Sequence, residues 1–174
     1  LERALDAEAT QAQLLFLAAA QRFLQAMRLD EAEIILNRTL FLDANPWAAR
    51  QHTLMRAALA LAKKDWPKAH RFLARAENSE LDDGQWFLLN DLKLQILFAD
   101  KNLIEALNLI NALSLDSRSQ ADIDALLARV FDALSMLTSQ ERNLLKQHPD
   151  IAEHSLAWLE LVQIISASAW APEK

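Results

Sequence analysis

A single glycine, Gly84, occurs in a chain of 174 residues. β-Sheets need tight turns, and tight turns commonly need glycine because it tolerates positive φ angles. Leu and Ala, both strong helix formers, supply much of an apolar content of 52%. That apolar content is also too high for a disordered chain. The sequence therefore predicts an all-α fold.

Start signals and apolar periodicity divide the chain into about nine antiparallel helices joined by short turns. Asn45 before Pro46, Asp65 and Thr138 are predicted N-caps, and Asp30 is a further one with Glu33 three residues on. A polar loop is predicted at 78–84. The predicted helices cover roughly 7–27, 30–41, 46–64, 65–77, 85–100, 103–113, 119–135, 138–148 and 150–168.

The second helices of three successive pairs align at an offset of 37 residues. A period in the middle thirties is typical of tetratricopeptide-type helix pairs, although their consensus glycine and tyrosine are missing here. Five apolar columns keep this offset: Leu24/Leu61/Phe98, Leu29/Trp66/Leu103, Ala32/Ala69/Ala106, Ile35/Phe72/Leu109 and Leu36/Leu73/Ile110. The sequence thus predicts a tetratricopeptide-like α-solenoid.

We expect residues 1–174 to form a single helical-repeat domain. Its predicted repeat units are 10–44, 45–80 and 81–114, followed by a degenerate unit at 119–147 and a capping helix at 150–168. Because the chain begins with Leu1 and not with methionine, we also expect it to be a fragment of a longer or processed protein.

Charge and composition exclude several classes of function. The formal net charge is −6 and no basic tract is present, which disfavours nucleic-acid binding. The most apolar late segment, 156–165, is shorter than the roughly 20 residues that span a bilayer. With no cysteine, the chain cannot form disulfides or zinc–thiolate sites.

No pattern of catalytic or metal-binding residues emerges from the sequence. Four histidines lack the i, i+4 spacing of a two-histidine zinc site. Paired carboxylates at Asp82–Asp83, Glu31–Glu33 and Asp122–Asp124 lie near predicted helix starts, where they offset the helix dipole. One glycine cannot build a phosphate-binding loop. We expect no enzymatic activity, no metal and no cofactor.

Five tryptophans are the remaining candidates for binding. Trp66 belongs to a repeat column and is predicted to be core. Trp47 and Trp86 fall outside such columns and are candidate anchors for a protein partner. The favoured alternative is that these two side chains cover the gap between helix pairs. Trp158 is predicted to seal the end of the stack, and Trp170 lies in a tail.

Several segments, in this order, resemble one known family. They are Ile123–Asp124, Phe131 to Leu134, Met136–Leu137–Thr138 with Glu141, and Ala157 to Leu161, preceded by a helix pair at 15–36. This succession resembles the amino-terminal tetratricopeptide-like domain of the LpoA family, outer-membrane lipoproteins that activate a class A penicillin-binding protein.

The resemblance implies a non-catalytic scaffold that regulates peptidoglycan biosynthesis and hence cell shape. It implies a protein on the periplasmic side of the outer membrane of a Gram-negative bacterium, held by a lipid anchor upstream of this chain. In the family, a separate carboxy-terminal domain contacts the penicillin-binding protein, and no catalytic residue carries over to the helical domain.

Two other functions stay open. The first is a generic tetratricopeptide-like adaptor, cytosolic or periplasmic, that binds a peptide in a concave groove. The second, less favoured, is a helical enzyme that cleaves a glycan with a buried carboxylate. Neither the contact surface nor the oligomeric state follows from the sequence.

Overall fold

The computed structural model describes residues 2–38, 45–115, 119–151, 155–157, 159–162 and 164, and side chains from residue 10 onward. All regular secondary structure within these ranges is helical, and they contain no strand. The all-α prediction is confirmed. No helix in the described part of the chain combines the length and the apolar character that crossing a membrane requires.

Eight helices have defined bounds: α1 (Glu2–Gln25), α2 (Leu29–Arg38), α3 (Pro46–Ala62), α4 (Trp66–Glu77), α5 (Asp83–Ala99), α6 (Leu103–Leu113), α7 (Gln120–Ser135) and α8 (Ser139–Lys146). Described residues between 155 and 164 are helical as well, inside the last predicted helix. Most bounds agree with the sequence prediction within two or three residues. The predicted end of the second helix, at Phe41, lies outside the described residues.

The turns inside three helix pairs share one backbone geometry. Met27, Lys64 and Lys101 have positive φ angles of 56°, 59° and 57°, and they are 37 residues apart. Each turn makes the two reverse hydrogen bonds of a Schellman motif. The donor and acceptor pairs are Met27 N–Leu24 O, Arg28 N–Phe23 O, Lys64 N–Leu61 O, Asp65 N–Ala60 O, Lys101 N–Phe98 O and Asn102 N–Leu97 O. The 37-residue period therefore extends from side chains to backbone conformation.

Polar caps begin most of the helices. The side chains of Asn45, Asp65 and Asn102 accept from backbone N–H groups in the first turns of α3, α4 and α6. Thr138 and Glu141 form the predicted reciprocal capping box at α8. These caps satisfy backbone donors that have no partner within the helix.

Three predicted boundaries are wrong, each for a local reason. Asp30 lies inside the first turn of α2, and its carboxylate accepts from Lys63 Nζ at 3.0 Å. Gly84 belongs to α5 because Asp82, two residues earlier, caps that helix. Asp150 lies in a turn after α8, where Ile151 N donates to His148 O, and does not begin a helix.

The alanine column is the tightest part of the repeat. Ala32, Ala69 and Ala106 are 0%, 0% and 1% exposed. The Leu36/Leu73/Ile110 column, one helical turn further along, is also buried. The side chains of the other three columns are half-buried at every position. A short side chain at such a position lets two helix axes approach closely, and the larger side chains beside it fill the groove.

Contacts group the chain into two compact units, 1–93 and 94–174, with the boundary inside α5. In the first unit, α1 packs on α2, α3 packs on α4, and α3 also contacts α1 and α2. The core around this junction contains Leu17, Ala20, Ala32, Leu36, Ala48, Met55 and Leu59.

In the second unit, α6 contacts α7 and a buried arginine completes the end of α7. Arg142 Nη1 donates to the carbonyl oxygens of Leu137 at 2.7 Å and Leu134 at 3.5 Å. Leu134 O also accepts from the backbone N–H of Leu137, and Leu137 itself follows the end of α7. The guanidinium therefore adds hydrogen bonds and a positive charge at this helix end.

Candidate interaction site at the starts of α3 and α5

Trp47 lies in the first turn of α3 and leaves 38% of its surface exposed. Its indole N–H donates to Asp82 Oδ2, just before α5. The polar atom of the side chain is therefore occupied within the protein. What the indole offers to a partner is its apolar ring surface.

Gln85 joins the two helix starts beneath Trp47. Its side chain is fully buried, its Nε2 donates to the backbone oxygen of Trp47 at 3.0 Å, and its Oε1 accepts from Arg50 Nε at 3.3 Å. Because both halves of the amide are paired, burial of this polar group carries no penalty for a lost hydrogen bond. The amide holds the first turn of α3 in register with the first turn of α5.

Asp82 is the charged group of the site. Its Oδ1 accepts from the backbone N–H of Gln85 at 2.8 Å while Oδ2 accepts from Trp47. The backbone hydrogen bond from Gln85, the indole hydrogen bond and the nearby Arg50 charge hold the pKa of Asp82 below its ordinary value. The carboxylate is therefore ionised at neutral pH and contributes a fixed negative charge beside the indole.

Trp86 occupies a different environment from Trp47, although the sequence treats the two alike. It is buried on α5, 8% exposed, and its backbone oxygen accepts from Asn90 Nδ2 at 2.9 Å. Its indole packs inside the protein and presents little surface to a partner. Of the two predicted anchors, Trp47 alone has a substantially exposed ring.

Trp66, placed in a repeat column by the sequence, is half-buried at the first residue of α4. Trp158 and Trp170 lie outside the residues whose side chains the structure describes. The sequence analysis missed Gln85 as a partner of Trp47 and Arg50 as a partner of Gln85. These two contacts span 38 and 35 residues, close to the repeat period of 37, and that spacing was the available signal.

Several of the titratable groups that the sequence singled out have structural partners in the described part of the chain. His52 is buried, and its Nε2 lies 2.8 Å from the backbone oxygen of Leu36 near the end of α2. Burial lowers the pKa of His52, and the charges of Arg56 and Arg75 lower it further, against the opposing effect of that hydrogen bond. Asp122 lies in the first turn of α7.

Across the ranges that the structure describes, no group of three or more His, Cys, Asp or Glu side chains could hold a metal ion. His148 Nδ1 lies 3.8 Å from the Asp150 carboxylate, and His154 is outside the described residues. The arrangement around Trp47 can bind by apolar contact and by charge. It brings together no nucleophile and base.

Comparisons of the chain with protein-family models, with curated proteins and with solved structures found no match. The function is therefore inferred from the residues and from their geometry.

Proposed function

We propose that this chain is a non-catalytic, tetratricopeptide-like scaffold domain of a periplasmic lipoprotein of the LpoA type. In this role it supports activation of a class A penicillin-binding protein and so regulates cell-wall synthesis. The observation that carries the scaffold proposal is the recurrence of one turn geometry at Met27, Lys64 and Lys101 together with a buried alanine column. Helix pairs repeated in step build extended surfaces for protein contacts.

The segments that resemble the family have definite structural roles, which supports the resemblance. Ile123 and Leu134 are buried on α7, and Thr138 with Glu141 forms the capping box of α8. Leu159, within the Ala157–Leu161 segment, is fully buried. Side chains in such roles are constrained by packing and capping, so their order along the chain is informative about a shared fold.

The proposal places the protein on the periplasmic face of the outer membrane, held by a lipid anchor upstream of residue 1. Contact with the penicillin-binding protein would be made by a domain outside this chain. The helical domain would then extend reach across the periplasm and bind further protein partners, with no nucleic acid involved.

The test is made on the full-length gene product in its own cells. Metabolic labelling with radioactive palmitate and membrane fractionation should give a labelled protein in the outer-membrane fraction. The purified full-length protein should raise the rate of glycan polymerisation by a class A penicillin-binding protein in vitro. An unlabelled protein that begins at a cytosolic start codon would exclude the lipoprotein proposal.

One observation favours the alternative of a generic peptide-binding adaptor, namely the exposed ring of Trp47 beside the charged groups of Asp82 and Arg50. A peptide array probed with the purified chain would reveal a shared short motif. Trp47→Ala should then weaken binding at least about tenfold, because aromatic anchors dominate such interfaces. The control is Leu144→Ala on α8, which removes an exposed apolar side chain elsewhere.

A further inference from the structure

Positive charge is concentrated in one helix pair of an otherwise acidic chain. From Pro46 to Glu77, which covers α3 and α4, the sequence has seven Lys or Arg residues and two Asp or Glu residues, a net charge of +5. Since the whole chain carries −6, the other residues together carry −11. Such an asymmetry commonly marks a surface that meets a charged partner.

The basic side chains of α4 lie on one face of the helix. Lys68, Arg71 and Arg75 are separated by three and four residues, and all three are exposed. Residues at these intervals share a helix face, and the buried side chains of Ala69 and Leu73 lie on the other side. We call the three exposed side chains the α4 basic stripe. It is not a basic tract in the sequence, because the helix and not the chain order brings the charges together.

Only part of this charge is neutralised within the described part of the chain. Lys68 Nζ lies 2.6 Å from the Asp65 carboxylate. Glu77, the one acidic residue of α4, is paired with a lysine of α5. Among the residues that the structure describes, Arg71 and Arg75 form neither a hydrogen bond nor an ion pair. Their two guanidinium groups are therefore free to bind, and each has a planar set of donors that fits a carboxylate.

We propose that the α4 basic stripe binds an acidic helix of a partner protein. The charges of the stripe recur about once per turn, so they extend over roughly 10 Å at spacings close to 5 Å. Carboxylates one turn apart on a second helix repeat at the same spacing, so that each guanidinium meets a carboxylate. Side chains on one face of an extended strand are about 6.6–6.8 Å apart, which does not match this spacing.

Two features favour a short acidic helix over an extended anionic surface such as a membrane. The structure describes all of α4, and its large apolar side chains, Trp66, Phe72 and Leu73, are half-buried or buried. The stripe therefore has no exposed apolar neighbour on this helix to enter a bilayer. A membrane surface also extends far beyond the roughly 10 Å over which charges act in salt, and it would repel the −11 of the other residues.

The binding surface is separate from the proposed function. It involves no residue of the Trp47 site and none of the segments that resemble the LpoA family. Loss of the lipoprotein proposal would therefore leave this one intact, and the reverse also holds.

The test is fluorescence anisotropy of a rhodamine-labelled, alanine-based peptide of about 18 residues, long enough to form helix in water. Its glutamates occupy one helix face at intervals of three and four residues, and an isomer of the same composition spreads them around the helix. The one-faced peptide should bind the full chain with a Kd on the order of 100 µM at low salt. It should bind at least about fivefold more tightly than the isomer, and about 0.5 M salt should abolish binding.

Matched charge variants test whether the stripe is the binding surface. Arg71→Gln/Arg75→Gln should weaken binding at least about tenfold, because it removes both unpaired guanidinium groups. The control, Arg22→Gln/Lys101→Gln, removes the same two charges from exposed positions outside α3 and α4. It should change the Kd less than about twofold, because charges far from the stripe are screened. Circular dichroism checks that both double variants keep the helical fold.

Three results would overturn the proposal: no binding of the one-faced peptide at low salt, equal binding of its isomer, and an equal loss of affinity in the two double variants. Phosphatidylglycerol vesicles test the membrane alternative. We expect the chain not to bind them. Vesicle binding that Arg71→Gln/Arg75→Gln removes would overturn the proposal as well, because it would assign the stripe to an anionic lipid surface.

Discussion

The indole N–H of Trp47 donates a hydrogen bond to the Asp82 carboxylate, across 35 positions of the sequence. The same carboxylate accepts the N–H of Gln85 at the start of α5. One acidic side chain therefore caps a helix and also ties it to the helix two elements earlier. The candidate binding ring of Trp47 is consequently held in place by a residue that also has a structural task.

Removing that carboxylate should separate its two roles. We expect Asp82→Ala to lower the free energy of unfolding by about 1 kcal/mol from the lost cap, with a further loss of about 0.5–1 kcal/mol from the indole hydrogen bond. Asp82→Asn keeps a capping oxygen and should cost less. Urea denaturation of Asp82→Ala, Trp47→Phe and the double variant measures the coupling. Strictly additive effects would contradict the described hydrogen bond.

The left-handed turns predict that glycine stabilises this chain. Lys64 and Lys101 adopt a positive φ, which costs a side-chain-bearing residue energy that glycine avoids. Each of Lys64→Gly and Lys101→Gly should raise the free energy of unfolding by about 0.5–1 kcal/mol.

The control for the turn variants is Ala74→Gly, on the exposed side of α4, where glycine should be destabilising by about 1 kcal/mol. Thermal denaturation of the three variants should show stabilisation by the two turn substitutions and destabilisation by Ala74→Gly. A loss of stability in the turn variants as large as that of the control would contradict the turn geometry.

The alanine column should not tolerate larger side chains. Ala106 is almost fully buried on α6, so Ala106→Leu forces the helices apart and should cost about 1–3 kcal/mol. Ala112 lies on the exposed side of the same helix, and Ala112→Leu should change stability by less than about 0.5 kcal/mol. Chemical denaturation with circular dichroism distinguishes the two, and equal effects would argue against close packing at the column.

His52 should make stability depend on pH. Because burial lowers its pKa in the folded chain, the unfolded chain binds the proton more readily. Stability is therefore complete above the unfolded pKa near 6.5 and decreases as pH falls below it. Urea denaturation at several pH values should show a smaller decrease in His52→Gln than in the parent chain. An equal decrease in His52→Gln and in the parent chain would contradict this role of His52.

Much of the fold could be predicted from particular residues. Asn45, Asp65 and Thr138 begin helices where their side chains predict, because a cap is a contact within three residues. The prediction of Asp30 as an N-cap was wrong because its carboxylate accepts from Lys63, at the end of α3. A rule based on neighbouring residues cannot predict a partner 33 residues away.

The candidate site could be predicted only in part from the sequence. Trp47 and Trp86 are identical in type and both lie near helix starts, yet one is exposed and the other buried. The difference depends on which face of each helix meets its neighbours. Gln85 is unremarkable in sequence, and its importance arises because its amide meets both Trp47 and Arg50.

The sequence alone determined the helical class, the helix starts and the 37-residue period, because these depend on backbone propensity, on caps and on the spacing of apolar residues along one helix. The tertiary structure decided which tryptophan is exposed and which polar side chains join α3 to α5. Each of these results from side chains far apart in sequence that compete for the same space and the same hydrogen bonds, and that competition exists only once the helices have packed.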